Sequence, residues 1–264
     1  MKLLEGKRAL VFGVANDHSI AWGIAKAMHE QGAELAFSYA ADALERRVKP
    51  LAESVGSTFV EKCNVTEDDE IEAVFSKAAD ELGTIDILVH AIAFAGREEL
   101  EGDFHKTTRE GFRMAMDISV YSFLALARAS VPLMPEGGSM VTLTFYASEK
   151  VFPNYNVMAI AKSALESTTR YLAADLGPQG IRVNAISPGP VRTLSAAGVS
   201  GFKRMYREFP KIAPLRRHVT PEDVGNSAVW LTSDWARNIT GEVLFVDSGY
   251  NILGAFSPDA ANDS

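Results

Sequence analysis

Short apolar runs alternate with longer stretches of helical periodicity along the chain. Arg8–Phe12 carries no polar alternation after its first residue, which predicts a strand buried on both faces. Ile20–Gln31 predicts a helix that Gly32 ends. The pattern repeats as a strand at Glu34–Ser38, a helix from about Ala41 to Glu53 and a short strand at Thr58–Val60. A helix at Glu67–Leu82, with Thr66 as its expected N-cap, and a strand at Ile85–His90 follow. A long, mostly helical stretch runs from about Thr107 to Leu133. Next come a strand at Ser139–Phe145, a helix at Tyr155–Leu176 and a strand at Arg182–Ile186. Thr220-Pro221-Glu222-Asp223 opens a helix to Ser233, with a cap, a proline in the first turn and acids at the positive end of the dipole. Glu242–Val246 is the last expected strand.

Strict strand–helix alternation implies right-handed crossovers and a parallel sheet covered on both faces. The expected fold is α/β: one doubly wound, Rossmann-type domain over residues 1–256, with about seven strands. The polar end, Ser257–Ser264, is expected to be a flexible tail. Composition narrows the function. The chain has 264 residues, with 26 basic against 34 acidic side chains and a formal charge of -8, which argues against a general nucleic-acid surface. Cys63 is the only cysteine, so a disulfide framework or multi-cysteine zinc site is excluded. The five histidines lack metal-ligand spacing, and no metal is expected. No apolar run is expected to insert in a membrane, and Met1–Arg8 lacks a signal-peptide core. The leading class is a cytoplasmic enzyme.

Two stretches carry candidate chemistry. After the first strand, Gly13-Val14-Ala15 leads through Ser19 and Ile20 into a helix. A small-residue turn at a helix N-terminus suits a pyrophosphate, although the Gly-x-Gly-x-x-Gly spacing is absent and the next glycine is Gly23. The second strand ends in Tyr39-Ala40-Ala41-Asp42, with no Lys or Arg at its tip, which favours NADH over NADPH. The second stretch is Tyr155-Asn156-Val157-Met158-Ala159-Ile160-Ala161-Lys162. Seven steps of roughly 100° bring Tyr155 within about 20° of the face of Lys162, with the phenol about one turn further along the groove than a four-residue spacing would put it. That displacement suits an oxyanion two bonds beyond the carbon that receives hydride, as in an α,β-unsaturated thioester. A carbonyl dehydrogenase on the same fold and a non-catalytic dinucleotide-binding module are the alternatives.

The chain closely resembles the enoyl-[acyl-carrier-protein] reductases, a divergent branch of the short-chain dehydrogenase/reductase family. The resemblance rests on Gly13-Val14-Ala15, Ser19-Ile20-Ala21, Thr108–Phe112, Pro153–Met158, Ile181–Ser187, Gly189–Leu194 and Glu242–Asp247, and it covers nearly the whole chain. It implies that Tyr155 stabilises the thioester oxyanion and that Lys162 binds the nicotinamide ribose. Gly13, Ser19 and Ile20 would meet the cofactor phosphates and ribose, Ala40 the adenosine, and Asn64 and Val65 the adenine. Ile92 would line the cofactor cleft, with Val191, Arg192, Thr193, Leu194 and Ser195 meeting the nicotinamide and pyrophosphate. Ala95 would approach the substrate. Phe145 would wall the substrate site, and Met158, Phe202 and Met205, which lie close in sequence to the Tyr155 motif and the loop that follows, are either ordinary core or a wall that faces the acyl chain. An acyl-carrier protein as partner and a homotetramer follow from the same resemblance. Three positions depart from the family pattern: Asn64 stands where Asp is usual, Ala159 where Gly is usual, and Phe145 where a second active-site Tyr is usual. Tyr146 adjoins that last position. If the strand keeps its alternation, Phe145 is the apolar wall and Tyr146 points away; a kink at Tyr146-Ala147-Ser148 would turn Tyr146 inward. Thr193–Tyr206 is expected to form a loop-helix flap.

Overall fold

The computed structural model describes residues 2–254; the expected tail at 257–264 lies outside them. Seven parallel strands form one sheet in the order β3-β2-β1-β4-β5-β6-β7. They are β1 (Arg8–Phe12), β2 (Glu34–Tyr39), β3 (Val60–Lys62), β4 (Ile87–His90), β5 (Gly138–Leu143), β6 (Ile181–Pro188) and β7 (Val243–Val246). Between them run α1 (Ile20–Glu30), α2 (Asp42–Ser54), α3 (Asp68–Leu82), α4 (Arg109–Met116), α5 (Ser122–Ser130) and α6 (Asn156–Leu176). Three more helices, α7 (Leu194–Ala197), α8 (Phe202–Ile212) and α9 (Pro221–Thr232), separate β6 from β7.

The unalternated pattern of β1 has its expected cause. Leu10 and Phe12 pack into a core with α3, α5 and α6, while Ala9 and Val11 pack into a second core with α1 and α9. Burial on both faces leaves no place for a polar residue. The cap at Thr220 is a full capping box: its Oγ1 accepts from Asp223 N–H, and the Asp223 carboxylate accepts from Thr220 N–H at 2.9 Å.

Several expectations are corrected. Thr66 does not cap α3. The N-cap is Glu67, because Asn64 forms a turn that accepts from Thr66 N–H and delays the helix by one residue. The third strand lies two residues later than expected, at Val60–Lys62, since only there does it pair with Phe37–Tyr39. The stretch 109–133 is continuous but carries a π-helical turn at Asp117–Tyr121 between α4 and α5. Arg109–Leu133 is long and apolar enough to cross a membrane by length and composition alone, with half of its most apolar stretch buried inside the fold. Much of its apolar character is used inside the fold, where Phe123, Ala125, Leu126 and Ala127 are buried. Finally, β5 stops at Leu143, and Tyr146–Ser148 forms a 3-10 turn, so strand alternation does not reach Phe145.

Candidate active site

All seven strands end on the same side of the sheet, and the order reverses between β1 and β4. The crevice outside the strand ends at such a reversal is where this architecture binds ligands. Gly13 turns the chain there with φ +104°, and a Cβ on it would lie 2.2 Å from the carbonyl oxygen of Ala91. The β1 and β4 turns therefore meet backbone to backbone, which only glycine allows. Ser19 starts α1 without capping it; its hydroxyl donates to the Asn16 carbonyl at 2.6 Å, and the first turn holds no acid. A helix N-terminus in that state suits an anion. Gly23, the next glycine, serves packing instead: a Cβ there would strike Pro221 at 2.5 Å, where α1 crosses α9. These features fit a dinucleotide pyrophosphate.

At the next strand tips, Ala40 is exposed beside buried Tyr39. The tip of β3 brings Lys62 to Asp42, 3.1 Å away, a cation that the β2 sequence alone did not reveal. Asn64 N–H donates to Glu70 at 2.7 Å, and Val65 is buried in the core. Ile92 and Ala95 are partly buried against the core beneath β4. Ser119 is a satisfied polar residue: its hydroxyl accepts from Phe94 N–H at 3.1 Å and lies 3.9 Å from the Met158 sulfur. It ties the loop after β4 to α6.

Tyr155 is the N-cap of α6, and Lys162 lies two turns along the same helix. Left-handed backbone at Asn154 (φ 66°) and Asn156 (φ 40°) brackets Tyr155, strain of the sort that collects at functional sites. Each asparagine amide is held from elsewhere, Asn154 on the Ser200 carbonyl at 3.2 Å and Asn156 on the Gly102 carbonyl at 3.3 Å. Burial pushes the Tyr155 phenol well above its ordinary range, so it remains a proton-bearing donor. Lys162 is buried, and its Nζ donates to the Leu143 carbonyl at 2.7 Å. Burial lowers its pKa to about 8, while Glu166 acts in the opposite direction.

Phe145 packs its ring on Tyr155, with centroids 4.9 Å apart. Tyr146 lines the same small cavity as Phe145. Its hydroxyl donates to the Asn251 carbonyl at 3.0 Å, and its ring sits edge-on to Phe245 and Tyr250. The chain thus kinks where the sequence allowed a kink, and the kink brings Tyr146 to the cavity wall beside Phe145. It ties Tyr146 to the segment after β7.

After β6, Val191 is buried and Leu194 is 55% exposed. Thr193 Oγ1 accepts from Ala196 N–H at 3.1 Å, which starts α7. The side chain of Ser195 lies outside the described residues. The expected flap is therefore two helices, α7 and α8. The Arg192 guanidinium lies 4.3 Å over the ring of Tyr206, and His218 stacks at 3.8 Å in a nearly parallel plane. That stack fastens α8 to its flanks. Met205 lines a cavity of about 80 Å³ with Phe145, Tyr146, Phe152, Phe209 and Tyr250, whereas Phe202 packs on Tyr206 at 5.9 Å.

The sequence missed three supporting groups. His90 is fully buried between Thr142 Oγ1 and Ser122 Oγ, each at 2.8 Å. Glu166 is buried with Thr144 Oγ1 donating to it at 2.6 Å. The Tyr206–His218 stack joins residues distant in sequence. Only Glu166 had a usable signal, since it lies four residues after Lys162 on one helix face. Cys63 is buried, and its thiol is pushed up to about 12, which makes it inert. Among the described residues no cluster of His, Cys, Asp and Glu could hold a metal.

A family model described as Enoyl-(Acyl carrier protein) reductase matches residues 13–251. The Enoyl-[acyl-carrier-protein] reductase [NADH] FabI of Aquifex aeolicus is 54% identical, covering 97% of this chain and 95% of that relative. The Bacillus cereus protein of the same name is 52% identical over 96% of this chain and 100% of its own. The Aquifex crystal structure superposes with a TM-score of 0.93 over 96% of this chain and 100% of that one. The Bacillus cereus enzyme with NADP+ and indole naphthyridinone gives 0.95 over 97% and 100%. The chain belongs to the enoyl-[acyl-carrier-protein] reductase family.

Proposed function

We propose that this protein reduces the carbon–carbon double bond of trans-2-enoyl-[acyl-carrier-protein] thioesters with NADH, the last reductive step of fatty-acid elongation. The observation that carries this reading is a proton-bearing Tyr155 at the start of α6, with buried Lys162 two turns deeper on the same helix. When bound, the nicotinamide supplies hydride to the β-carbon. The Gly13 turn and the α1 terminus at Ser19 and Ile20 hold the pyrophosphate, Lys162 holds the nicotinamide ribose, and Ala40, Asn64 and Val65 border the adenosine. Ile92 and Val191–Ser195 close the cleft around the nicotinamide. Tyr155 donates to the thioester oxygen as negative charge develops there, a contact stronger in the transition state than in the ground state. The α-carbon then takes a proton from Tyr155 or water. Phe145 walls this donor with an apolar ring, so Tyr155 is the sole phenol acting on the thioester. Ala95, Met158, Phe202 and Met205 complete the acyl side.

The carrier would dock beside the flap. Residues 201–218 hold six cations, Lys203, Arg204, Arg207, Lys211, Arg216 and Arg217, against one acid, Glu208, in a chain of net charge -8. A cytoplasmic homotetramer is part of the same proposal. Phe112, Tyr121 and Leu124 stand about two-fifths exposed along a groove of about 710 Å³ on α4, α5 and α6, an apolar face that a second copy would cover.

The test follows NADH absorbance with crotonyl thioester, with a ketone, and with neither. Turnover is expected only with the thioester, and more efficiently with NADH than with NADPH. Tyr155→Phe is expected to raise the barrier by roughly 1–4 kcal/mol with cofactor binding kept. Lys162→Ala is expected to weaken both cofactor binding and turnover. Unchanged kinetics in both variants would remove this mechanism.

A further inference from the structure

The interior of α6 holds a second charged group that the mechanism above does not use. Glu166 is only 6% exposed, and Lys162, one turn before it, only 5%. Both meet the end of β5 at consecutive residues. Lys162 Nζ donates to the Leu143 carbonyl at 2.7 Å, and Thr144 Oγ1 donates to Glu166 at 2.6 Å. Thr144 N–H is itself fixed on the Ile186 carbonyl of β6 at 2.8 Å. The next residue, Phe145, is the one that packs on Tyr155. Carboxylate and ammonium therefore form a two-point clamp between α6 and the strand end that leads to the Tyr155 wall.

A buried carboxylate is costly unless it is hydrogen-bonded and near a cation. Residue spacing, burial and the Thr144 anchor together give Glu166 that setting. We infer that Glu166 is a positioning residue of the reductase, which holds Lys162 as an ammonium on the Leu143 carbonyl and so keeps it competent toward the cofactor ribose. This rests on the proposed roles of Lys162 and Tyr155. The other groups around Lys162 do not supply the charge. From β4, His90 is neutral and opposes none of the desolvation, while β5 and α5 offer the hydroxyls of Thr142 and Ser122 to its ring. Tyr155 on α6 keeps its proton. Asp117, on the π-helical turn packed against α6, lines the outer groove. Glu166 is the anion that raises the Lys162 pKa against its burial.

The experiment is the pH dependence of kcat/KM for NADH from pH 6 to 9.5, with crotonyl thioester saturating, for the full-length protein and for Glu166→Gln, Glu166→Asp and Lys162→Ala. Glutamine keeps the size and the Thr144 bond but not the charge. The alkaline limb is expected to move to lower pH by at least half a unit in Glu166→Gln. Activity is expected to stay within twofold of wild type at pH 6 and to fall about twofold or more at pH 8 and about threefold or more above pH 9, with Glu166→Asp restoring part of the loss. A uniform loss at every pH, with the alkaline midpoint unmoved, would reduce Glu166 to a packing role and overturn the inference. If Glu166→Gln does not fold, the double variant Thr144→Val/Glu166→Met carries the test, because it removes the charge and leaves no hydroxyl unpaired. A lowered alkaline midpoint then supports the inference, and an unmoved one overturns it. Lys162→Ala separates the two levels. If it keeps wild-type cofactor affinity and turnover, the proposed site roles fail; if it loses both while the Glu166→Gln profile is wild type, only the role of Glu166 fails.

Discussion

His90 makes this protein acid-sensitive in a way that can be worked from its contacts. The Ser122 hydroxyl donates to the Ile118 carbonyl at 2.6 Å, so it accepts from His90 Nε2–H, and Nδ1 accepts from the Thr142 hydroxyl. The imidazole is thereby fixed neutral, in the Nε2–H tautomer. Burial, and after it the nearby Lys162 ammonium, lower its pKa from 6.5 to about 3. In the unfolded chain His90 takes a proton below about pH 6.5, while in the folded chain it refuses one until about pH 3. The contribution to stability is therefore complete above pH 6.5 and is lost as pH falls from there toward 3. The loss amounts to about 2 kcal/mol between pH 7 and pH 5, and about 4 kcal/mol by pH 3. The assay is urea unfolding at fixed protein concentration at pH 7, 6 and 5, for wild type and for His90→Gln. Only the change with pH is compared, because the substitution has its own cost at every pH. His218 is shifted in the same direction by burial and Arg192, and the subtraction cancels it. Wild type is expected to lose about 2 kcal/mol more than the variant between pH 7 and 5. Equal losses would refute the buried neutral histidine.

Gly13→Ala forces a side chain to φ +104° and a Cβ to 2.2 Å from the Ala91 carbonyl, so a lowered Tm and loss of cofactor binding by calorimetry are expected together. Tyr146→Phe, which loses only the bond to the Asn251 carbonyl, is expected to cost about 1 kcal/mol of stability and to leave turnover within a few fold; a tenfold fall in kcat with NADH affinity intact would make Tyr146 a second catalytic phenol. Leu124→Arg, on the exposed face of α5, is expected to lower the mass of the proposed homotetramer in size-exclusion chromatography with light scattering, and an unchanged mass would place the copy interface elsewhere.

Much of this protein was legible one-dimensionally because strand and helix periodicities are local. Arg8–Phe12 and Ile20–Gln31 lie within a residue of the observed elements, and Thr220-Pro221-Glu222-Asp223 caps its helix as its chemistry requires. The Tyr155–Lys162 relation was legible for the same reason, since one helix carries both. What the sequence could not decide depends on neighbours distant in the chain. Whether β5 continued to Phe145 depended on where its hydrogen-bonded register with β6 ran out, at Leu143 opposite Ile186. Tyr146 took its direction from the Asn251 carbonyl, 105 residues away. The role of Gly23 was not legible until α9 came to rest on it. The charge state of Lys162 is the deepest case. A lysine in a sequence is a cation, but here the fold strips its water, sets a neutral histidine behind it and places one anchored carboxylate a turn away. Desolvation belongs to the packed interior, so only the tertiary structure could assign it.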